Sequence, residues 1–239
     1  MKYSENFGHE FEQRPGLAVE LQKIAERFPV TPRQLTSDQL PVIRPHDRVG
    51  PELETAYLDD VEQKRLLFYG DGHGLLFPFL NKAVKKGIVQ LPLRQVLNLD
   101  FHADIATYTQ HFVSHTASWQ RYGVDKGFWG NSSSYNWQPE HSTAKPRRDF
   151  TPEQFRQSVS AEQAADLAPD LLSIDIDFFN DLDPKNPKFS EYLETLKQII
   201  SKSKCVFVFS SSGWTGGKVT PETLRQIIEN IQNTFLKKD

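Results

Sequence analysis

Leu17, Leu21, Ile24 and Phe28 recur at helical spacing behind Pro15, which predicts a helix from about Pro15 to Phe28. Thr31-Pro32-Arg33-Gln34 and Thr151-Pro152-Glu153-Gln154 each combine a threonine cap, a first-turn proline and a back-reaching glutamine, and so predict two more helix starts. Residues 1–60 thus read mostly as helix and loop. From Leu66 the pattern changes. Leu66-Leu67-Phe68-Tyr69, Gln95-Val96-Leu97-Asn98-Leu99, Leu171-Leu172-Ser173-Ile174 and Cys205-Val206-Phe207-Val208-Phe209 are short, nearly continuous apolar runs, as in strands buried on both faces. Helices are predicted between them, one reaching about Lys86 and one around Tyr192 to Ser201. A terminal helix has Thr220 as cap, Pro221 in its first turn and Leu224, Ile227, Ile228, Ile231 and Phe235 on one face. Strands alternating with helices predict an α/β fold in three αβα layers, with a mostly parallel central sheet and ligands bound beyond the carboxyl ends of its strands. The 239 residues read as a single α/β domain, 1–239, with 1–60 as a mainly helical covering segment.

Composition narrows the function classes. A net charge of -3 and a pI near 6.2 provide no global basic field, so neither nucleic acid nor a membrane surface is expected as a partner. The single cysteine, Cys205, lies inside an apolar run; it excludes an internal disulfide framework and a thiolate zinc cluster, and reads as a small core residue. The N-terminus has no charged segment followed by an apolar one, and no apolar run approaches membrane-spanning length. A cytoplasmic protein is the expectation.

Chemistry enters at two strings that follow two of the strands, Asp100-Phe101-His102-Ala103-Asp104 and Ser173-Ile174-Asp175-Ile176-Asp177. Alternate residues of a strand share a face, so Asp100, His102 and Asp104 are expected to converge, as are Asp175 and Asp177. Carboxylates gathered in one cleft repel one another unless cations lie between them. Oxygen and imidazole donors without thiolate fit manganese, iron(II) or zinc, and the carboxylate majority favours manganese; calcium fits the histidines poorly. Asp181 and Asp183 read as turn residues.

The two strings resemble the Asp-x-His-x-Asp and Ser-x-Asp-x-Asp signatures of the arginase-like ureohydrolases, in the same order. Asp183-Pro184 follows shortly after the second. His73, in Gly70-Asp71-Gly72-His73-Gly74, stands where that family places another metal-binding histidine in a glycine-rich turn. The resemblance spans roughly residues 66 to 184 and leaves out the first sixty. It implies an arginase/deacetylase-like fold and two Mn2+ per chain. By the same resemblance, His73, Asp100, Asp104 and Asp175 hold one ion, and His102, Asp100, Asp175 and Asp177 hold the other, with Asp100 and Asp175 bridging. Asp104 would pass a proton to the leaving amine, and a histidine beyond the string would line the cleft, either His111 or His115, with His115 preferred. A metal pair of this kind activates water for attack on a guanidinium carbon, giving an amine and urea.

The chain departs from free arginases in three places. Ala106 stands where they carry the asparagine that binds the substrate α-carboxylate, and alanine cannot replace that hydrogen bond. No acid lies in Ser210–Lys218, where the family places a glutamate for the guanidinium; Asp71 and Glu222 are the candidate replacements. That stretch is not a phosphate-binding loop either, because Ser212 takes the first glycine position and Val219 the hydroxyl position. Finally, Trp119, Tyr122, Phe128, Trp129, Tyr135 and Trp137, interspersed with Asn131, Ser132, Ser133 and Ser134, have the composition of a lid or peptide groove, or of a lid packed only on its own body.

A compact bacterial branch of the superfamily, which includes peptide arginases, is the nearest match in layout. The resemblance therefore implies a dimanganese hydrolase converting arginine residues of a ribosomally made precursor peptide to ornithine, with release of urea, during peptide maturation. The alternatives are a small-molecule ureohydrolase acting on agmatine or another guanidino or amidino compound, and a non-catalytic binding protein with the arginase fold.

Overall fold

The computed structural model describes residues 16–45, 50–102, 118–140, 142, 157–210 and 219–237. The strands among them are β1 (Arg33–Gln34), β2 (Ile43–Arg44), β3 (Glu52–Leu53), β4 (Ala56–Asp60), β5 (Arg65–Gly70), β6 (Val96–Leu99), β7 (Ser134–Trp137), β8 (Gln157–Ser158), β9 (Leu171–Asp175) and β10 (Cys205–Phe209). The α-helices are α1 (Leu17–Arg27), α2 (Leu76–Lys85), α3 (Trp119–Lys126), α4 (Ala161–Asp166), α5 (Pro187–Lys202) and α6 (Pro221–Leu236). Eight strands form the central sheet in the order β1-β4-β5-β10-β9-β6-β7-β8, while β2 and β3 make a small antiparallel pair. Every pairing in the large sheet is parallel except the β4/β5 hairpin.

Alternation along the inner strands assigns each side chain to one of two cores. Leu66, Phe68, Val96, Leu171, Cys205, Phe207 and Phe209 pack with α1, α2 and α3, where Leu21, Phe77, Leu80 and Trp119 are buried. Leu67, Tyr69, Leu97, Leu99, Leu172, Ile174, Val206 and Val208 pack on the other face with α4, α5 and α6, against Ala164, Leu196, Ile200, Ile227 and Ile231. The result is the expected αβα sandwich. Each fully buried Leu or Phe contributes about 1.5–3 kcal/mol, which makes these two cores the main source of stability. Phe68 joins the layers on its side, stacking on Phe79 at 4.4 Å and meeting Phe207 edge-on at 5.1 Å. Cys205 is buried in the same core, and burial pushes its thiol above the ordinary range. No helix among the described residues is long and apolar enough to cross a membrane.

Three expectations need correction or relocation. Thr31-Pro32-Arg33-Gln34 does not start a helix: Arg33 N donates to Thr55 O at 3.1 Å and Leu35 N to Tyr57 O at 2.8 Å, which places β1 beside β4. The Arg33 guanidinium fixes that register, donating through Nε at 2.7 Å and Nη2 at 2.8 Å to the Glu54 carboxylate. Strands β1 and β4 therefore extend the central sheet while β2 and β3 pair apart from it, and α1 is the one helix among the described residues before β4. The capping box expected at Thr151 falls outside the described residues. One is formed at Ser160, where Ser160 Oγ accepts from Gln163 N at 3.3 Å and Gln163 Oε1 accepts from Ser160 N at 2.9 Å.

The third correction concerns the aromatic stretch. Trp119, Tyr122, Phe128, Trp129 and Trp137 are all buried, so they are core and form no peptide groove. Trp129 lies parallel to Phe77 with ring centroids 6.4 Å apart and fits against Gly123 of α3, where a Cβ would sit 1.9 Å from Trp129 Cζ2. Glycine at 123 is what admits the indole.

Candidate metal centre

The carboxyl ends of β5, β9 and β6 bring His73, Asp175, Asp177, Asp100 and His102 to one place, with β10 lying between β5 and β9. After β5 the chain turns at Gly72, whose φ of 87° suits glycine, and enters a short 3-10 turn, His73–Leu75, that leads into α2. His73 is fully buried, its ring near-parallel to that of Trp119 at 5.5 Å and 4.6 Å from Phe209. Its Nε2 meets Ser173 Oγ at 3.1 Å, which leaves Nδ1 directed at Asp175 Oδ2, 3.7 Å away. Burial lowers its pKa to about 4, so the imidazole is neutral near pH 7 and its lone pair is available to a cation.

Asp175 ends β9, and the chain then turns through a 3-10 segment, Ile176–Phe179, in which Asp177 N donates to Asp175 Oδ1 at 3.1 Å. Asp175 and Asp177 are thus brought together by a turn and not by strand alternation. Asp100 likewise lies one residue beyond β6, where its Oδ1 accepts from His102 N at 2.6 Å and its Oδ2 from Asn98 Nδ2 at 3.1 Å. Phe101 N donates to Asp177 Oδ1 at 3.1 Å and ties the two acidic strings together.

His102 is the half-exposed member, with Nδ1 2.7 Å from Asp177 Oδ2 and 3.6 Å from Asp100 Oδ1. The carboxylates of Asp100 and Asp177 push its pKa up to about 10. Burial, followed by the charge of Asp100, raises Asp177 to about 6, against the opposing pull of His102.

Two groups of potential ligand atoms result, each within a span of 4.8 Å: His73 with Asp100 and Asp175, and Asp100 with His102 and Asp177. Asp100 is common to both. The chemistry of this donor set fits a hard or borderline divalent cation, and three buried carboxylates so close together call for positive charge. Asp104, His111, His115 and Ala106 lie outside the described residues. Of the two candidate guanidinium partners, Asp71 is exposed at the end of β5 and accepts from Ser210 Oγ at 2.7 Å. Glu222 opens α6, where its Oε1 accepts from Gln226 Nε2 at 3.4 Å.

Sequence reasoning passed over Asn98 and gave Ser173, quoted as the first residue of its signature, no role of its own; each stands two positions before a site aspartate. The signal was present, since a polar residue inside an apolar strand on the same face as a ligand is placed to hold it. Trp119, read as part of a groove, instead backs the His73 ring.

No protein-family model matches the sequence, and no curated protein matches it. Among solved structures the chain is similar to proclavaminate amidino hydrolase from Streptomyces clavuligerus, at 18% identity and a TM-score of 0.52, over 71% of this chain and 63% of that one. It is also similar to a variant of Trypanosoma cruzi formiminoglutamase solved with Mn2+, at 11% identity and a TM-score of 0.52, over 72% and 65% of the respective chains. A protein assigned as an agmatinase from Clostridium difficile matches at 15% identity with a TM-score of 0.50, over 71% and 66%. The match spans just under two thirds of the length of each of these proteins. Strand order, the parallel centre of the sheet and these likenesses agree: the chain has the αβα fold of the arginase-like ureohydrolases.

Proposed function

We propose that the chain is a dimetal hydrolase that cleaves a C–N bond of a guanidino or amidino group, and that its substrate is an arginine residue within a precursor peptide. The observation that carries the first part is the pair of ligand groups sharing Asp100 at the carboxyl ends of the central strands. The similar structures named for amidino and formimino chemistry support the reaction class. Ala106, in place of the asparagine that binds a free α-carboxylate, supports a substrate lacking that group. The buried aromatic stretch adds nothing to the peptide reading.

His73, Asp100 and Asp175 would hold one divalent cation, and Asp100, His102 and Asp177 the other, with Mn2+ favoured by the carboxylate majority. When bound, such a pair supplies Lewis acidity and a water activated near neutral pH. The chain's own residues do the rest. Ser173 holds the His73 ring so that Nδ1 faces the site, and Phe101 N and Asp177 N hold the carboxylates in place. Water adds to the guanidinium carbon, the bond from that carbon to the side-chain nitrogen breaks, and Asp104 carries a proton to the leaving amine, assisted by His115 or His111. Asp71, exposed and steadied by Ser210, is the carboxylate assigned to the substrate cation.

Incubating the protein with Mn2+ and an arginine-containing precursor peptide tests the reading. Hydrolysis lowers the peptide mass by about 42 Da per converted residue, the difference between a guanidine and an amine. Urea released from agmatine with no peptide shift would make the protein a small-molecule ureohydrolase. No metal-dependent turnover on either would make it a binding protein that keeps the fold.

A further inference from the structure

Asn98 of β6 and Asn136 of β7 are register partners in the sheet, and both are buried. Asn98 Nδ2 spends its two hydrogens on two acceptors, Asp100 Oδ2 at 3.1 Å and Asn136 Oδ1 at 3.2 Å. The opposite ends of the two amides, Asn98 Oδ1 and Asn136 Nδ2, are buried with no hydrogen-bond partner. Each such group costs about 1–3 kcal/mol. Leucine at either position would avoid that cost, so stability alone does not account for asparagine in Val96-Leu97-Asn98-Leu99.

The orientation of the pair points to the carboxylate. Turning the Asn98 amide over would set its carbonyl oxygen against Asp100 Oδ2 and against Asn136 Oδ1, so both contacts select the same arrangement. The second oxygen of Asp100 is held independently by His102 N at 2.6 Å. We propose that Asn98 and Asn136 are positioning residues for Asp100, Asn136 orienting the Asn98 amide and Asn98 holding Oδ2, so that the one carboxylate common to both ligand groups serves two cations at once. The inference rests on the dimetal reading above. It gives β7, which supplies no ligand to either group, a part in the site.

The test compares the full chain with Asn98→Leu and Asn136→Leu, using Mn2+ alone as the probe. Titration calorimetry reads affinity and stoichiometry, electron paramagnetic resonance reads whether the two ions are spin-coupled through a bridge, and circular dichroism reads folding. The unsubstituted chain should bind two Mn2+ with a coupled spectrum. Asn98→Leu should remain folded, bind about 10–100-fold more weakly, and give the hyperfine pattern of isolated Mn2+. Asn136→Leu should shift both readouts the same way by less. A folded Asn98→Leu with unchanged affinity and coupling overturns the positioning role while leaving the dimetal reading standing. Absence of Mn2+ binding by the unsubstituted chain overturns both. If Asn98→Leu does not fold, Asn136→Leu decides: weakened coupling supports the inference, and unchanged affinity and coupling overturn it.

Discussion

In the metal-free chain, His102 should carry a proton that any cation must displace. Its Nδ1 stands 3.6 Å from Asp100 Oδ1 and 2.7 Å from Asp177 Oδ2, the carboxylates with which it would share a cation. With its pKa pushed up to about 10, less than about 1% of the imidazole is neutral at pH 7.5, which handicaps binding about 300-fold relative to an already neutral ring. His73 behaves oppositely: burial holds its pKa near 4, and at pH 7.5 it has no proton to lose. The sign follows from the protonated form being the competitor. Affinity should rise with pH, by up to about tenfold per unit between pH 7 and 9, and the His102 contribution should level off once the pH passes about 10. Two measurements check this. Side-chain NMR of the histidine-labelled, metal-free chain should show His102 protonated through pH 9 and His73 neutral down to about pH 5. Mn2+ titrations at pH 7, 8 and 9 give the slope. A His102 that titrates near its ordinary 6.5, or a Mn2+ affinity flat from pH 7 to 9, would refute the reasoning.

Three further outcomes are expected. Gly123→Ala, which by helix propensity alone would gain about 1 kcal/mol, should instead lower stability by about 1–3 kcal/mol in urea denaturation, because the new Cβ meets Trp129 Cζ2 at 1.9 Å. Arg65→Met should cost about 3 kcal/mol, or roughly 10 °C in Tm, since buried Arg65 donates to Ser203 O at 3.0 Å and Ile200 O at 2.5 Å at the end of α5; a melting curve unchanged within 2 °C would contradict this. Saturating Mn2+ should raise Tm by about 5–10 °C and a chelator should reverse it, while Asp175→Ala should keep the fold and lose most of the shift in differential scanning fluorimetry.

How far the sequence can be read depended on whether the deciding contact was local. The apolar runs at Leu66, Val96, Leu171 and Cys205 became β5, β6, β9 and β10 because continuous hydrophobicity is itself the condition for a strand covered on both faces. The acidic strings stood out because buried carboxylates next to such runs demand a compensating charge. Thr31-Pro32-Arg33-Gln34 misled because a local capping signature was overruled by pairing with β4 and by Glu54, 21 residues from Arg33. The aromatic stretch misled because its small polar residues resemble a loop, whereas the burial of Trp129 depends on Gly123 and Phe77, which periodicity does not connect. Asp177 was placed with the correct neighbours for an incorrect reason, since a 3-10 turn and not an extended strand presents it.

The place of β10 in the sheet has a consequence for how the protein comes into being. β10 supplies no donor to either ligand group, yet it pairs with β5 on one side and with β9 on the other. His73 follows β5, whereas Asp100 and Asp175 belong to the β6/β9 side, so the two halves of the donor set are joined through a strand translated after all three donors. During synthesis β5 can pair with β4 at once, but its other edge waits for β10, whose register runs from Cys205 against Leu66 to Phe209 against Gly70, a separation that makes closure of the sheet a late and slow event. Until then the sheet does not hold His73 beside Asp100 and Asp175, and the site cannot assemble prematurely. Mn2+ uptake should accordingly serve as a clock for the final insertion step of folding.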